Sequence, residues 1–294
     1  MTSTGEALPI TVVIPVYRRA DLVARAVKSA LAQQPPPAEV IVVDDCSDDD
    51  SGAVAAAAGA TVVRLAVNSG LGAARNAGVR HASNDWIALL DSDDAWLPTH
   101  LATLWANRGD HVLVGAAGRG SVDGRVFGHP GPRPKVFRYP SQIVLPYNRV
   151  TPSGAMLHRP ALDAAGGFRT VRLVEDLDAW VRILEHGTGV ALPQVTFEYH
   201  QHPGQMSADL GAMSRALDEI VGGYAARPWC TDRVIKAAQA MPRWDQARAA
   251  LRRRDRQGAT KLLVSLLHPW RLLGLCHLLT LRRRSARRAE PTGN

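Results

Sequence analysis

Cysteine is scarce in this chain and scattered. Cys46, Cys230 and Cys276 form no Cys-x-x-Cys pair, which argues against a disulfide framework or a zinc site and fits a reducing compartment. No glycine-rich phosphate loop follows the first apolar run, where Pro15-Val16-Tyr17-Arg18-Arg19 stands instead. That absence argues against a Rossmann dehydrogenase and a nucleotidyltransferase, whose backbones approach phosphate through glycine. Gly115-Ala116-Ala117-Gly118-Arg119-Gly120 lacks the dinucleotide spacing. An uninterrupted membrane span is missing too. Lys261 to Leu281 is broken by His268, Pro269, Arg271 and His277, whereas a span wants ~20 mostly apolar residues. Met1 to Pro9 is polar and lacks the basic-then-apolar pattern of a signal peptide.

What is present begins with an uneven charge. The 294 residues carry a formal +8, and Arg248 to Arg288 holds twelve Lys or Arg against Asp255 alone, a balance of +11. The rest, with 23 basic and 26 acidic residues, stands at −3. A basic tail suits nucleic acid or an anionic membrane surface, or is simply solvated. This one interleaves Leu262-Leu263-Val264-Ser265-Leu266-Leu267 and Leu272-Leu273-Gly274-Leu275 and carries few aromatics besides Trp270. That favours an interfacial amphipathic pair of helices over a nucleic-acid arm, with helices packed on the body as the alternative.

The length suits one α/β domain with an appendage. Apolar runs at Ile10–Val16, Val40–Val43, Thr61–Leu65 and Trp86–Leu90 alternate with helical spacing over Asp21–Gln33, Ser51–Ala58 and Ala73–Ala82. This order predicts a mainly parallel sheet flanked by helices, with ligands at the strands' carboxyl ends. Asp44, Asp45 and Asp91-Ser92-Asp93-Asp94 all fall at such ends. Carboxylates gathered there are costly without a partner, and a hard divalent cation is the natural one. From Arg119 to Tyr147 the pattern dissolves into a Gly- and Pro-rich strand-and-loop insert. Helix resumes after Glu175-Asp176, and Val190–Tyr199 reads as a strand.

Four segments stand in a telling order: Val12-Val13-Ile14-Pro15-Val16-Tyr17; Val42-Val43-Asp44-Asp45; Asn68-Ser69-Gly70-Leu71-Gly72-Ala73-Ala74-Arg75-Asn76-Ala77-Gly78; and Asp91-Ser92-Asp93-Asp94-Ala95-Trp96. Thr151-Pro152-Ser153-Gly154, Gly166-Gly167-Phe168, Glu175-Asp176-Leu177-Asp178-Ala179-Trp180 and Tyr199-His200-Gln201-His202-Pro203-Gly204-Gln205-Met206-Ser207 follow. Over roughly residues 9 to 208 the chain resembles the family 2 glycosyltransferases of the GT-A fold. The resemblance implies a catalytic domain over 1–208, with a nucleotide-binding half (9–118) and an acceptor half (119–208), and a helical basic extension over 209–294.

It also implies residue roles. Pro15 and Tyr17 line the base and ribose of a nucleotide-diphosphate sugar, UDP being favoured, and Asp45 accepts a nucleobase N–H. Asp91 and Asp93 match the DxD motif. Asp93 is expected to bind Mg²⁺ or Mn²⁺, and Asp91 to sit near the ribose or the metal's water shell. His202, better placed than His200, completes the metal or diphosphate site. Asp94 is either a further ligand or a turn cap, and Arg75 either faces phosphate or is an exposed helix charge. Glu175-Asp176 matches the acidic catalytic pair, with Asp176 as the general base of an inverting transfer. Taken alone, the same pair reads as a helix N-terminus. The expected setting is cytoplasmic, peripheral on the membrane face if the tail docks there, with a lipid-linked acceptor and no nucleic acid. The rival readings are a nucleotidyltransferase and a non-catalytic nucleotide-sugar-binding protein with a nucleic-acid-binding tail.

Overall fold

Continuous apolar runs become strands buried on both faces. In β1 (Leu8–Val16) only Pro9 is exposed. Its register pairs Val12 with Val40 of β2 (Pro37–Asp44) and with Ala88 of β4 (Trp86–Leu89), both parallel. Such runs need helices on either side. Between β1 and β2, α1 (Val23–Leu31) buries Val23, Ala26, Val27 and Ala30, one helical stripe. Next come α2 (Ser51–Ala57), β3 (Thr61–Arg64) and α3 (Leu71–His81). The α3 helix lies close to the sheet because Gly78 has no side chain; a Cβ there would strike Val13.

Beyond β4 the chain runs through β5 (Ala95–Trp96), α4 (His100–Ala106), β6 (His111–Gly120), β7 (Val126–Phe127) and β8 (Lys135–Phe137). It continues through α5 (Ser141–Val144), a 3₁₀ turn at Pro152–Gly154, β9 (Ala155–His158) and α6 (Arg159–Ala164). Then follow α7 (Glu175–Ile183), β10 (Thr188–Tyr199) and α8 (Leu210–Gly223). This computed structural model describes residues 6–122, 124, 126–128, 132–144, 150–171, 173–202, 209–236 and 238.

The strands form one sheet in the order β3-β2-β1-β4-β9-β6-β10-β5, with β7 on β6 and β8 on β10. Because β9 is antiparallel to both β4 and β6, those two run the same way, and β10 is parallel to β6. The carboxyl ends of β1, β2, β4 and β10 therefore share one edge. The reversed β9 brings the turn before it, Pro152–Gly154, to that same edge. So topology alone gathers Tyr17, Asp45, Asp91–Asp94, Ser153 and His200–His202.

The expected mainly parallel α/β sheet is present, and its flanks are mixed. The 119–147 insert holds β7, β8 and α5 in its described part. The strand that the composition hid is β6. Gly115 and Gly118 look like loop residues, yet a Cβ at either would collide with Val150 or Phe197. They are glycine so that these side chains can press on the strand.

The described residues fall into two compact units, one up to 143 with 150–202, the other Val144 with 209 onward. In the second, Asp209 caps α8 by accepting the Ala212 N–H at 2.9 Å. Leu217, Ile220, Val221 and Tyr224 form the buried face of its helical stretch. The basic tail beyond 238, with Cys276 and Trp270, lies outside the described residues. Among those described, no helix is long and apolar enough to cross a membrane.

Candidate active site

Asp45, buried beyond the end of β2, extends the strand pairing with its N–H donated to the Val16 carbonyl at 2.9 Å. Its two oxygens accept the N–H groups of Ser69 and Gly70 at 2.7 and 2.8 Å. Gly70, with φ +84, makes the turn into α3. Asp45 thus builds the loop leading into the helix, and each oxygen keeps a second lone pair for a ligand. Across the edge Pro15 is buried and Tyr17 is 39% exposed, its ring 5.1 Å from the Arg18 guanidinium.

The acids after β4 divide their work. Asp93 Oδ2 lies 3.0 Å from His202 Nε2. Asp91 Oδ1 accepts Arg75 Nη2 at 2.9 Å, and the other arm of Arg75 donates to Glu175 Oε1 at 2.7 Å. Arg75 has no exposed surface. This corrects the expectation of an exposed helix charge, since both arms end on buried or half-buried acids. It lies beneath the acids and joins the DxD segment to the first turn of α7. Asp91 and Glu175 more than offset its burial, so its guanidinium is held above its usual range.

Asp94 does not cap the turn that follows it. It is 1% exposed, and its oxygens accept Ser153 Oγ–H at 2.5 Å and the His200 N–H at 2.9 Å. Burial, then the neighbouring Asp91 and Asp93, hold its carboxyl well above the usual range. Burial also pushes Asp91 up, against the pull of Arg75.

Asp176 is half-buried in the first turn of α7 beside the buried Glu175. The helix N-terminus and Arg75 both favour negative charge there. The loop before it is pinned from two sides. Asn76 of α3 clamps Phe168, donating to its carbonyl at 2.7 Å and accepting its N–H at 2.8 Å. Arg182 of α7 donates to the Ala165 and Gly167 carbonyls and grips Asp178 at 2.7 Å.

Sequence reasoning did not single out Ser153, Trp96 or His100. Trp96 Nε1–H donates to the Ser153 carbonyl at 2.7 Å. His100 stacks on Trp96 with ring centroids 4.4 Å apart. Burial pushes His100 down to about 3, so it is a neutral packing group. A serine two residues ahead of β9 carried no signal of its partner 59 positions earlier.

The Asp93 carboxylate and the His202 imidazole are donor types that a divalent cation takes, and at 3.0 Å they are hydrogen-bond partners of each other. Among the described residues no group of three or more His, Cys, Asp or Glu gathers as a metal site. The remaining positions would fall to donor oxygens and water, as is usual for Mg²⁺. Asp91 is tied to Arg75 at 2.9 Å. Residues 203–208 lie outside the description.

A family model described as glycosyl transferase family 2 matches residues 11–165, just over half of the chain. The succinoglycan biosynthesis protein ExoO of Rhizobium meliloti (strain 1021) is 43% identical over 122 residues, 40% of this chain and 35% of that protein. The glycosyltransferase YwdF of Bacillus subtilis (strain 168) is 31% identical over 167 residues, 54% of this chain and 62% of that one. The chain therefore spans less than two thirds of either relative. Among solved structures, S. aureus TarS 1-349 with UDP-GlcNAc matches at TM-score 0.65 and 19% identity, covering 79% of this chain and 71% of that one. The mannosyltransferase PcManGT from Pyrobaculum calidifontis, with GDP-Man and Mn²⁺, matches at 0.63 and 17%, covering 98% and 89%. At these identities the likeness is one of fold.

Proposed function

The chain belongs to glycosyl transferase family 2 and has the GT-A fold, and from that premise we propose that it is an inverting transferase moving a sugar from a nucleotide diphosphate, UDP first, to an acceptor hydroxyl. One observation carries the reading. Arg75 bridges Asp91 and Glu175, so the donor-side acids and the α7 turn bearing Asp176 are one buried unit beside the Asp93–His202 pair.

In this reading Tyr17 and Pro15 form the wall for base and ribose, and Asp45 accepts a base N–H on its remaining lone pairs. Asp93 and His202 would hold Mg²⁺ or Mn²⁺, which would supply Lewis-acid neutralisation of the departing diphosphate. Asp176 takes the proton of the acceptor hydroxyl as that oxygen attacks the anomeric carbon from the face opposite the diphosphate. Glu175, held by Arg75, fixes the helix turn that aims Asp176. A single in-line displacement inverts the anomeric centre. The nucleotide sugars of the structural relatives support the donor class, and the ExoO name supports polysaccharide or cell-envelope biosynthesis. We assign this chemistry to residues 1–208 in the cytoplasm. The +11 tail is read as a peripheral contact with anionic membrane, where a lipid-linked acceptor resides.

Calorimetry of UDP with and without Mn²⁺ tests the donor site. Wild type should bind UDP more tightly with Mn²⁺, and Asp93→Asn should lose that gain while remaining folded. Equal Mn²⁺-supported binding by both would overturn the ligand assignment.

A further inference from the structure

We infer that the buried Asp94–Ser153 couple is the positioning element that holds His202 against Asp93. The inference rests on the reading of Asp93 and His202 as the metal pair. Asp94 is the third acid of its cluster, yet at 1% exposure it is not a surface on which a ligand can land. A carboxylate placed there is costly unless every lone pair facing protein is used. Each oxygen accepts one hydrogen bond from protein, and each reaches a different segment.

Asp94 Oδ2 accepts the hydrogen bond donated by the Ser153 hydroxyl, in the turn ahead of β9. The Ser153 hydroxyl in turn accepts the Asp91 N–H at 3.1 Å, while its carbonyl is held by Trp96. Asp94 Oδ1 takes the His200 N–H at 2.9 Å. That bond falls where it matters for His202. The pairing of β10 with β6 ends at Tyr199 opposite Gly120, and His202 is three residues further on. Past the ladder, the Gln201 N–H donates to Ser121 Oγ at 3.1 Å, in a solvent-exposed contact that water competes for. The His200–Asp94 bond is part-buried and ends on a side chain that is itself 1% exposed. Asp94 therefore sets His202 through the backbone, and Ser153 sets the Asp91 backbone at the start of the turn carrying Asp93. One couple fixes both ends of the 3.0 Å contact. Outer groups that orient metal ligands in this way affect metal affinity strongly.

The test is Mn²⁺ binding followed by electron paramagnetic resonance at saturating UDP, with thermal unfolding of each variant alongside. Asp94→Asn and Ser153→Ala should each weaken Mn²⁺ about 10- to 100-fold while UDP affinity in EDTA is unchanged. Ser153→Ala, which removes one oxygen, decides the matter if Asp94→Asn does not fold. In a His202→Ala background either loss should be clearly less than additive, because the share that acts through His202 has nothing left to position. Wild-type affinity in the folded variants, or losses that simply add to that of His202→Ala, would overturn the inference and leave the metal pair standing. Wild type that retains no Mn²⁺ with UDP would overturn both.

Discussion

On either side of β1, two strands end in aspartates. After β2 the protein supplies partners for them. Asp44 holds Arg64 at 2.6 Å and the Ser47 N–H at 2.8 Å, Asp45 takes two loop amides, and Asp48 pairs with Arg18 at 2.6 Å. Hydrogen bonds from Arg18 and from Ser51 hold Asp48 and Asp49 below the usual carboxylate range. After β4 the supply falls short. Burial holds Asp91 up and Asp94 well up, their like charges add to this, and the buried Arg75 must serve both Asp91 and Glu175. The residue type is the same and the environments are opposite. A cluster whose charge is met by backbone and arginine shapes a loop. One whose charge exceeds its partners is where a bound cation is most stabilising.

The comparison is broken most sharply at the unsatisfied end. Asp176→Asn should bind donor nearly normally and lose transfer by about 10²- to 10⁴-fold. Near-normal turnover with a competent acceptor would remove Asp176 from the mechanism. Arg75→Met should come next, because it strands Asp91 and Glu175 without their shared cation. Breaking a buried pair costs on the order of 3–5 kcal/mol, read by chemical denaturation, and Glu175→Gln in the same chain should restore part of it. At the satisfied end, Asp44→Ala leaves the Ser47 amide without its acceptor and Arg64 with only the Ser47 carbonyl. It should cost about 1–3 kcal/mol of stability while Mn²⁺ binding stays at the wild-type value. If Asp44→Ala abolished Mn²⁺ binding, the two clusters would not be separable.

How much of this was legible follows the same physics. Strands β1, β2 and β4 are continuous apolar runs, and α1 has a regular stripe, so the doubly covered sheet and the placing of its acids could be read directly. Strand β6 could not, because Gly115 and Gly118 are there for neighbours that only the fold supplies. Arg75 carried a signal that was passed over. It lies three residues after Gly72 and four before Val79, on the buried face of α3, where a charge must have buried partners. Those partners, 16 and 100 positions away, are set by topology, and periodicity within α3 does not reach them. The division of labour among Asp91, Asp93 and Asp94 was equally out of reach, since it depends on Ser153 and on the exit of β10.

The finest discrimination between the clusters is the sign of their pH dependence. Asp94 has a raised folded pKa, so above the ordinary carboxylate value of 3.8 the native state holds more protons than the unfolded chain. Stability is then lost as pH rises through that window. Asp94→Asn removes this liability along with a hydrogen-bond acceptor, so its stability relative to wild type should improve steadily from pH 4 upward. Asp48 has the opposite linkage. Its folded pKa is lowered, so its contribution is present above 3.8 and lost as pH falls through the folded value. The deficit of Asp48→Asn should therefore be absent at the acid end and appear as pH rises. Asp48 and Arg18 are 67% and 56% exposed, which makes the effect small and easily screened by salt. Urea denaturation of the three proteins between about pH 3 and 8, at low ionic strength and without divalent metal, should give difference curves of opposite slope. Parallel slopes would mean that solvent, and not the protein, sets the charge balance at both strand ends.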